Sequence, residues 1–304
     1  MIDLPGSLQE IGEVIHMRVL MVPASNRPES RTALQIATDL ALRLDANIVG
    51  CHLRPHRDLN KDYKPKGLPL FGSANREWLE ELSKKSTASA ARQAAKMFAE
   101  VATDAGIKLA KRPGSSGTGS CAIWEEKVGS PEKLMAIMGP VADLTILSRP
   151  ASNGHVARLF LLAALMHTGR PLLLLPQKQT RTPGKRISIA WNQSAEVSRV
   201  VSACMPMLQA AEAVNIISCG LHSQTGPKAG QLKNYLQHYG VKSTVLTTPG
   251  RKEEKELLGA YRDTGSDLML MGAYSRSRFR EIVFGGMTQY MLWQARIPVI
   301  MQHS

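Results

Sequence analysis

The chain has 304 residues, 43% of them hydrophobic and 21% charged, which is enough apolar material for more than one core. Four cysteines imply no disulfide framework, no apolar stretch reaches bilayer-spanning length, and the start Met1-Ile2-Asp3-Leu4-Pro5 lacks an export signal's basic and then apolar layout; a cytoplasmic chain without a membrane partner is expected. A net charge of +13 attracts phosphate-bearing partners, but the basic residues are scattered apart from Lys84-Lys85 and Arg276–Arg280, and no aromatics interleave them, which argues against a nucleic-acid surface.

In chain order, Arg18-Val19-Leu20-Met21-Val22 is a short unbroken apolar run, the pattern of a strand buried on both faces. Ser30 to Leu44 follows with Ala33, Leu34, Ala37, Leu40, Ala41 and Leu44 at helical spacing. Asn47 to Cys51 reads as the next strand, with Cys51, and Cys219 at the equivalent place in the second half, as small buried hydrophobes. His52 and His56 are four apart, but Pro55 breaks any helix that would align them on a metal, so they read as loop histidines. Residues of about 56–89 form an insertion that contains Lys64-Pro65-Lys66-Gly67-Leu68-Pro69, which no regular helix accommodates, before a helix-forming stretch from Asn75 through Glu100. Asp143-Leu144-Thr145-Ile146-Leu147 is another buried strand. In the loop after it, Ser148-Arg149-Pro150-Ala151-Ser152-Asn153-Gly154, Arg149 reads as a solvated side chain and Pro150 lacks an N–H donor.

Gln177 to Lys185 is polar and broken by Pro183-Gly184, as a linker would be. Beyond it the same signatures return in the same order. Arg186 to Ala190 repeats the first strand, Asn215 to Cys219 repeats Asn47 to Cys51, Gly240-Val241-Lys242 repeats Gly106-Ile107-Lys108, and Asp267 to Met271 repeats Asp143 to Leu147. Ile297-Pro298-Val299 repeats Arg170-Pro171-Leu172, and the helix Ala195 to Leu208, interrupted near Pro206, repeats the first helix. Two domains are expected, 1–176 and 186–304. Strands alternating with helices predict an α/β fold: two tandem, Rossmann-like, open doubly wound parallel sheets of five strands each.

The tail carries the chemistry. Leu268 to Met271 is a strand, Gly272-Ala273-Tyr274-Ser275 follows it, and Gly285-Gly286-Met287-Thr288 opens a closing helix. Glycines there let backbone approach an anion, which the unpaired N–H groups and dipole of a helix start attract. These residues resemble the universal stress protein (UspA-like) family, whose nucleotide-binding members carry Gly-x-x-Gly, nine residues, then Gly-Ser or Gly-Thr between the fourth and fifth strands. Gly272-x-x-Ser275, nine residues, Gly285-Gly286 keeps that spacing, with Ser275 in place of the second glycine, Gly286 in place of the hydroxyl residue, and Thr288 matching a hydroxyl two positions later. With the repeat, the resemblance covers nearly the whole chain. It implies strand order 3-2-1-4-5 in each half, and a site for ATP or another adenine nucleotide built in the second half from Ala190, Asn192, Ser194, Ile216, Gly272, Ser275, Gly285, Gly286, Met287 and Thr288. ATP-binding members usually have aspartate where Asn192 stands, and the first half, without the glycine frame, is expected not to bind.

The function expected is that of a stress sensor or regulator rather than an enzyme, since no nucleophile elbow, Walker-type loop or metal-ligand cluster stands in the sequence. The rival is an interaction scaffold whose sites have decayed and which holds no cofactor. Arg276, Arg278 and Arg280 read either as a solvated loop or as a phosphate clamp, and Trp191 as a packing residue. The expected partners are a small anionic ligand and either a second copy or, as a pseudo-dimer, the other half of the chain. Contact is expected through Leu172 to Leu175 and Val299 to Met301, which are too continuously apolar for strands with a wet face.

Overall fold

The computed structural model describes residues 16–54, 88–114, 119–150, 155–220, 226–273 and 286–303. Most of the expected insertion, with His56 and residues 75–87, lies outside these, as do Ser275, Gly285 and the arginines at 276, 278 and 280.

The first half runs β1 (Val19–Pro23), α1 (Pro28–Leu44), β2 (Asn47–Arg54), α2 (Ala88–Asp104), β3 (Lys108–Ala110), β4 (Cys121–Val128), α3 (Pro131–Met138), β5 (Leu144–Ser148), α4 (His155–His167) and β6 (Leu172–Leu175). The second half runs β7 (Arg186–Ala190), α5 (Ala195–Ala203), α6 (Met205–Gln209), β8 (Ala213–Cys219), α7 (Ala229–His238), β9 (Ser243–Thr248), α8 (Glu253–Asp263), β10 (Leu268–Gly272), α9 (Gly286–Trp293) and β11 (Val299–Gln302). Helix α1 starts with Pro28 in its first turn, where a missing N–H costs nothing, and stops at Asp45 in the left-handed conformation. Pro206 divides the single helix expected in the second half into α5 and α6, with Cys204 between them.

The expectation of two separate five-stranded sheets is corrected. The strands form one 11-stranded sheet in the order β3-β4-β2-β1-β5-β6-β11-β10-β7-β8-β9. The halves join where β6 and β11 pair antiparallel, Val299 with Leu174 and Met301 with Leu172; every other pairing is parallel. Both strands are buried along their whole length, so neither could stand as a wet edge, and each satisfies the other's free backbone groups. The second half keeps the order 3-2-1-4-5. So does the first, with β3 added beyond β4 as a sixth strand. Strand β4 escapes a pattern reading because its apolar start, Cys-Ala-Ile-Trp, gives way to Glu125, Glu126 and Lys127.

Helices cover both faces, and both cores cross the seam. One joins α1 and α2 to α5, α6 and α7 through residues such as Leu40, Phe98, Val200 and Leu236. The other joins α3 and α4 to α8 and α9 through Met135, Leu165, Tyr261 and Met291. One carboxylate does the same work in each half. Asp143 accepts the Arg18 and Val19 amides at 2.7 and 2.9 Å, and Asp267 accepts those of Gly184, Lys185 and Arg186 at 2.9, 3.1 and 3.1 Å. Each thereby fixes the entry to its half's central strand. The intervening segment is tied down as well, by Arg43 donating to the Pro183 carbonyl and Thr182 to the Asp39 carboxylate.

The loop histidine expected at position 52 is corrected too: His52 belongs to β2, is buried, and bonds the Ala24 carbonyl through Nδ1. Cys51 behaves as the sequence suggests, fully buried, with desolvation pushing its thiol up to about 12, whereas the equivalent Cys219 is only half-buried. Among the described residues no helix is long and apolar enough to cross a membrane.

Candidate functional site

Open parallel sheets take ligands where strand order reverses, at the carboxyl ends of the two central strands. In the second half these are β7 and β10, paired Ile189 to Leu270, with β8 on one side and β11 on the other. The turn after β7 is built by its own polar groups. The Asn192 side-chain oxygen accepts the Ser194 amide at 3.3 Å, Gln193 takes a positive φ of 62°, and Ser194 caps α5 by accepting the Val197 amide at 3.3 Å. Trp191 is buried, as a packing residue would be, and its indole N–H donates to the Pro227 carbonyl at 2.8 Å.

Gly272 ends β10 beside this turn, and its close neighbour is protein. A Cβ at position 272 would lie 2.8 Å from both the Glu196 Cβ and the Val197 amide nitrogen, so the missing side chain lets α5 sit down on the strand end. Gly286, by contrast, opens α9 exposed, and among the described residues the near neighbour of its missing Cβ is a Glu254 carboxylate oxygen at 3.5 Å. Behind it Met287 is half-buried and Thr288 is 6% exposed. The first-turn amides of α9 have no acceptors within the helix, which makes this end receptive to an anion; Glu254 beside it would compete with one.

Of the ten expected site residues, Ala190, Asn192, Ser194, Gly272, Gly286, Met287 and Thr288 fall on the ends of β7 and β10 or the start of α9. Ile216 is fully buried in the core at the middle of β8. Ser275 and Gly285 lie outside the described residues.

No family model matches the chain. A curated universal stress protein of Synechocystis is 31% identical over 141 residues, 43% of this chain and 46% of that protein, so the chain spans about half the length of the curated relative it matches. A solved universal stress protein from Archaeoglobus fulgidus has the same fold over nearly the whole molecule, with a TM-score of 0.64 at 15% identity, covering 94% of this chain and 98% of that one. The chain thus resembles universal stress proteins in sequence over part of its length and in fold over nearly all of it.

In the loop after β5 the expectation of a solvated Arg149 is corrected. Arg149 is 7% exposed and reaches into the second half, where its guanidinium donates to the carbonyls of Met291 at 2.6 Å, Ile297 at 3.1 Å and Leu292 at 3.3 Å. Desolvation lowers its pKa to about 10, which leaves it charged at neutral pH. A lone loop arginine carries no sequence signal of such burial, because its partners are backbone carbonyls more than 140 positions away.

Glu256 also escapes the sequence reading. Its carboxylate accepts the amides of Gly250, Arg251 and Lys252 at 2.6, 2.9 and 3.0 Å and so closes the loop between β9 and α8. These bonds, the Lys252 amide foremost, hold its pKa at about 2. A glutamate shortly after Gly250-Arg251-Lys252 was the available signal, obscured by the acidic run Glu253-Glu254 before it.

Proposed function

We propose that this protein is a cytoplasmic stress regulator whose second half binds an adenine nucleotide or a related small anion, while the first half supports that site without binding. Binding coupled to signalling, rather than turnover, is the activity intended. One observation carries the reading: the start of α9, with exposed Gly286 and buried Thr288, follows the strand that forms the switch point with β7. An anion there would lie on backbone donors at a helix start, which is how phosphate is held without a dedicated cation. Asn192 in place of aspartate removes a negative charge from the mouth, and its side-chain oxygen keeps the turn in shape.

Gly286 makes a clean test, because among the described residues a side chain there meets nothing closer than 3.5 Å. ATP, ADP and AMP are titrated calorimetrically into the wild type and Gly286→Val. Loss of backbone approach should weaken binding by roughly a hundredfold, a few kcal/mol, with the unfolding midpoint held. Equal binding by both proteins would move the ligand elsewhere. No binding by the wild type at millimolar nucleotide would replace this reading with that of a scaffold, which the tight packing of Gly272 on α5 and the position of Glu254 favour.

A further inference from the structure

The first half holds α9 by its far end. Helix α9 is eight residues long, about two turns, too short to be stable alone, and what fixes one of its ends positions the other. The last carbonyls of a helix lack partners within it. At α9 two of these, from Met291 and Leu292, together with the Ile297 carbonyl just before β11, each accept an N–H from one of the three guanidinium nitrogens of Arg149. The positive charge also faces the negative end of the helix dipole. Arg158, on α4 of the first half, lies over the Trp293 ring at 4.5 Å and covers the last residue of the same helix.

The arrangement is not reciprocated. Arg149 and Ala273 are equivalent positions, since their amides bond the last residues of β6 and β11, Leu175 at 2.8 Å and Gln302 at 3.0 Å. The alanine's methyl has no donor to send back. Across the seam in the other direction Gln302 donates a single bond to the Gly169 carbonyl at 3.0 Å, beyond the end of α4.

We propose that Arg149 and Arg158 are positioning residues for the anion site of the second half, setting the place of Gly286 to Thr288 by clamping the opposite end of α9. The proposal rests on the nucleotide reading above for its ligand, though not for the clamp itself. The test uses the full chain and two readouts: ATP affinity well below each variant's unfolding midpoint, and amide hydrogen exchange resolved along the sequence. Arg149→Met should weaken ATP binding by roughly tenfold, with Arg149→Lys, charged but without the fork, in between. Arg158→Ala should weaken it by about two- to threefold. The Tyr290, Met291 and Leu292 amides should exchange faster in each variant, with β1 and β7 at wild-type rates.

A purely structural role would lower the unfolding midpoint and leave the affinity of the folded protein unchanged. Wild-type ATP affinity in folded Arg149→Met therefore overturns the proposal, as does faster exchange spread evenly over the chain. A wild type that takes up no ATP sinks the nucleotide reading; exchange then decides alone, selective loosening of α9 supporting the clamp and unchanged α9 rates overturning it. If Arg149→Met does not fold, Arg149→Lys and Arg158→Ala carry the same readouts to the same decision.

Discussion

Ser148-Arg149 at the end of β5 and Gly272-Ala273 at the end of β10 occupy the same place in the two halves, and they do opposite things. In the second half the strand end has no side chain, so α5 closes on it and the chain continues toward the exposed start of α9. In the first half the strand end carries a long cation that crosses the seam and is used up on three carbonyls. In a repeated fold, equivalent strand ends thus serve different packing roles, one receiving a helix and the other reaching across the seam. The seam makes this division workable, because two fully buried strands pair there and both hydrophobic cores run through it.

Removing the seam should have the largest effect. Val299 is fully buried and paired with Leu174, so Val299→Asp places an unpaired carboxylate where both halves meet. A loss of roughly 4 kcal/mol or more is expected, read as a collapse of the urea midpoint and altered elution on size exclusion. An unchanged midpoint and unchanged elution would mean that the halves do not depend on each other at this strand pair.

A smaller effect should separate the two strand ends directly. Gly272→Ala forces a methyl to within 2.8 Å of the Val197 backbone, which yields little, and should destabilise by about 1–3 kcal/mol. Ser148→Ala removes a buried hydroxyl that has no hydrogen-bond partner and should stay within about 0.5 kcal/mol of wild type. Equal changes in the two variants would erase the contrast between the halves.

The smallest effect concerns acid. Glu256 has a folded pKa of about 2 against an ordinary 4.5, so its contribution to stability is fully present above pH 4.5 and is lost as pH falls through about 2. The corresponding helix of the first half, α3, begins at Ser130 without a side-chain cap. Glu256→Gln should therefore be less stable than wild type at pH 7, with the gap narrowing below pH 4.5, measured by urea unfolding across that range. A gap of constant size down to pH 2 would remove the charge from the explanation.

Much of this molecule was legible in the residues. The apolar runs at Val19, Leu144, Leu172, Leu268 and Val299 are strands because a parallel strand covered on both faces needs no polar alternation, and the helical stripe of α1 needs only spacing. The repeat placed Asp143 and Asp267 at equivalent positions, and both prove to hold the start of a central strand. The candidate site was legible in part: Asn192 and Ser194 form the turn expected at a strand end, whereas Ile216 sits in the core because mid-strand residues cannot reach the sheet's open edge.

By itself the sequence determined which segments become strands and helices and that the set occurs twice, because those outcomes follow from local periodicity and from matches read along the chain. Three things were decided only in the folded molecule. The two sheets became one because β6 and β11 each needed a partner for a buried edge, and they pair antiparallel with each other. Gly272 took on a packing role because α5 happened to need the space. Arg149 left solvent because its hydrogen-bond partners are main-chain carbonyls, groups that every residue carries and that acquire meaning only when a helix ends beside them.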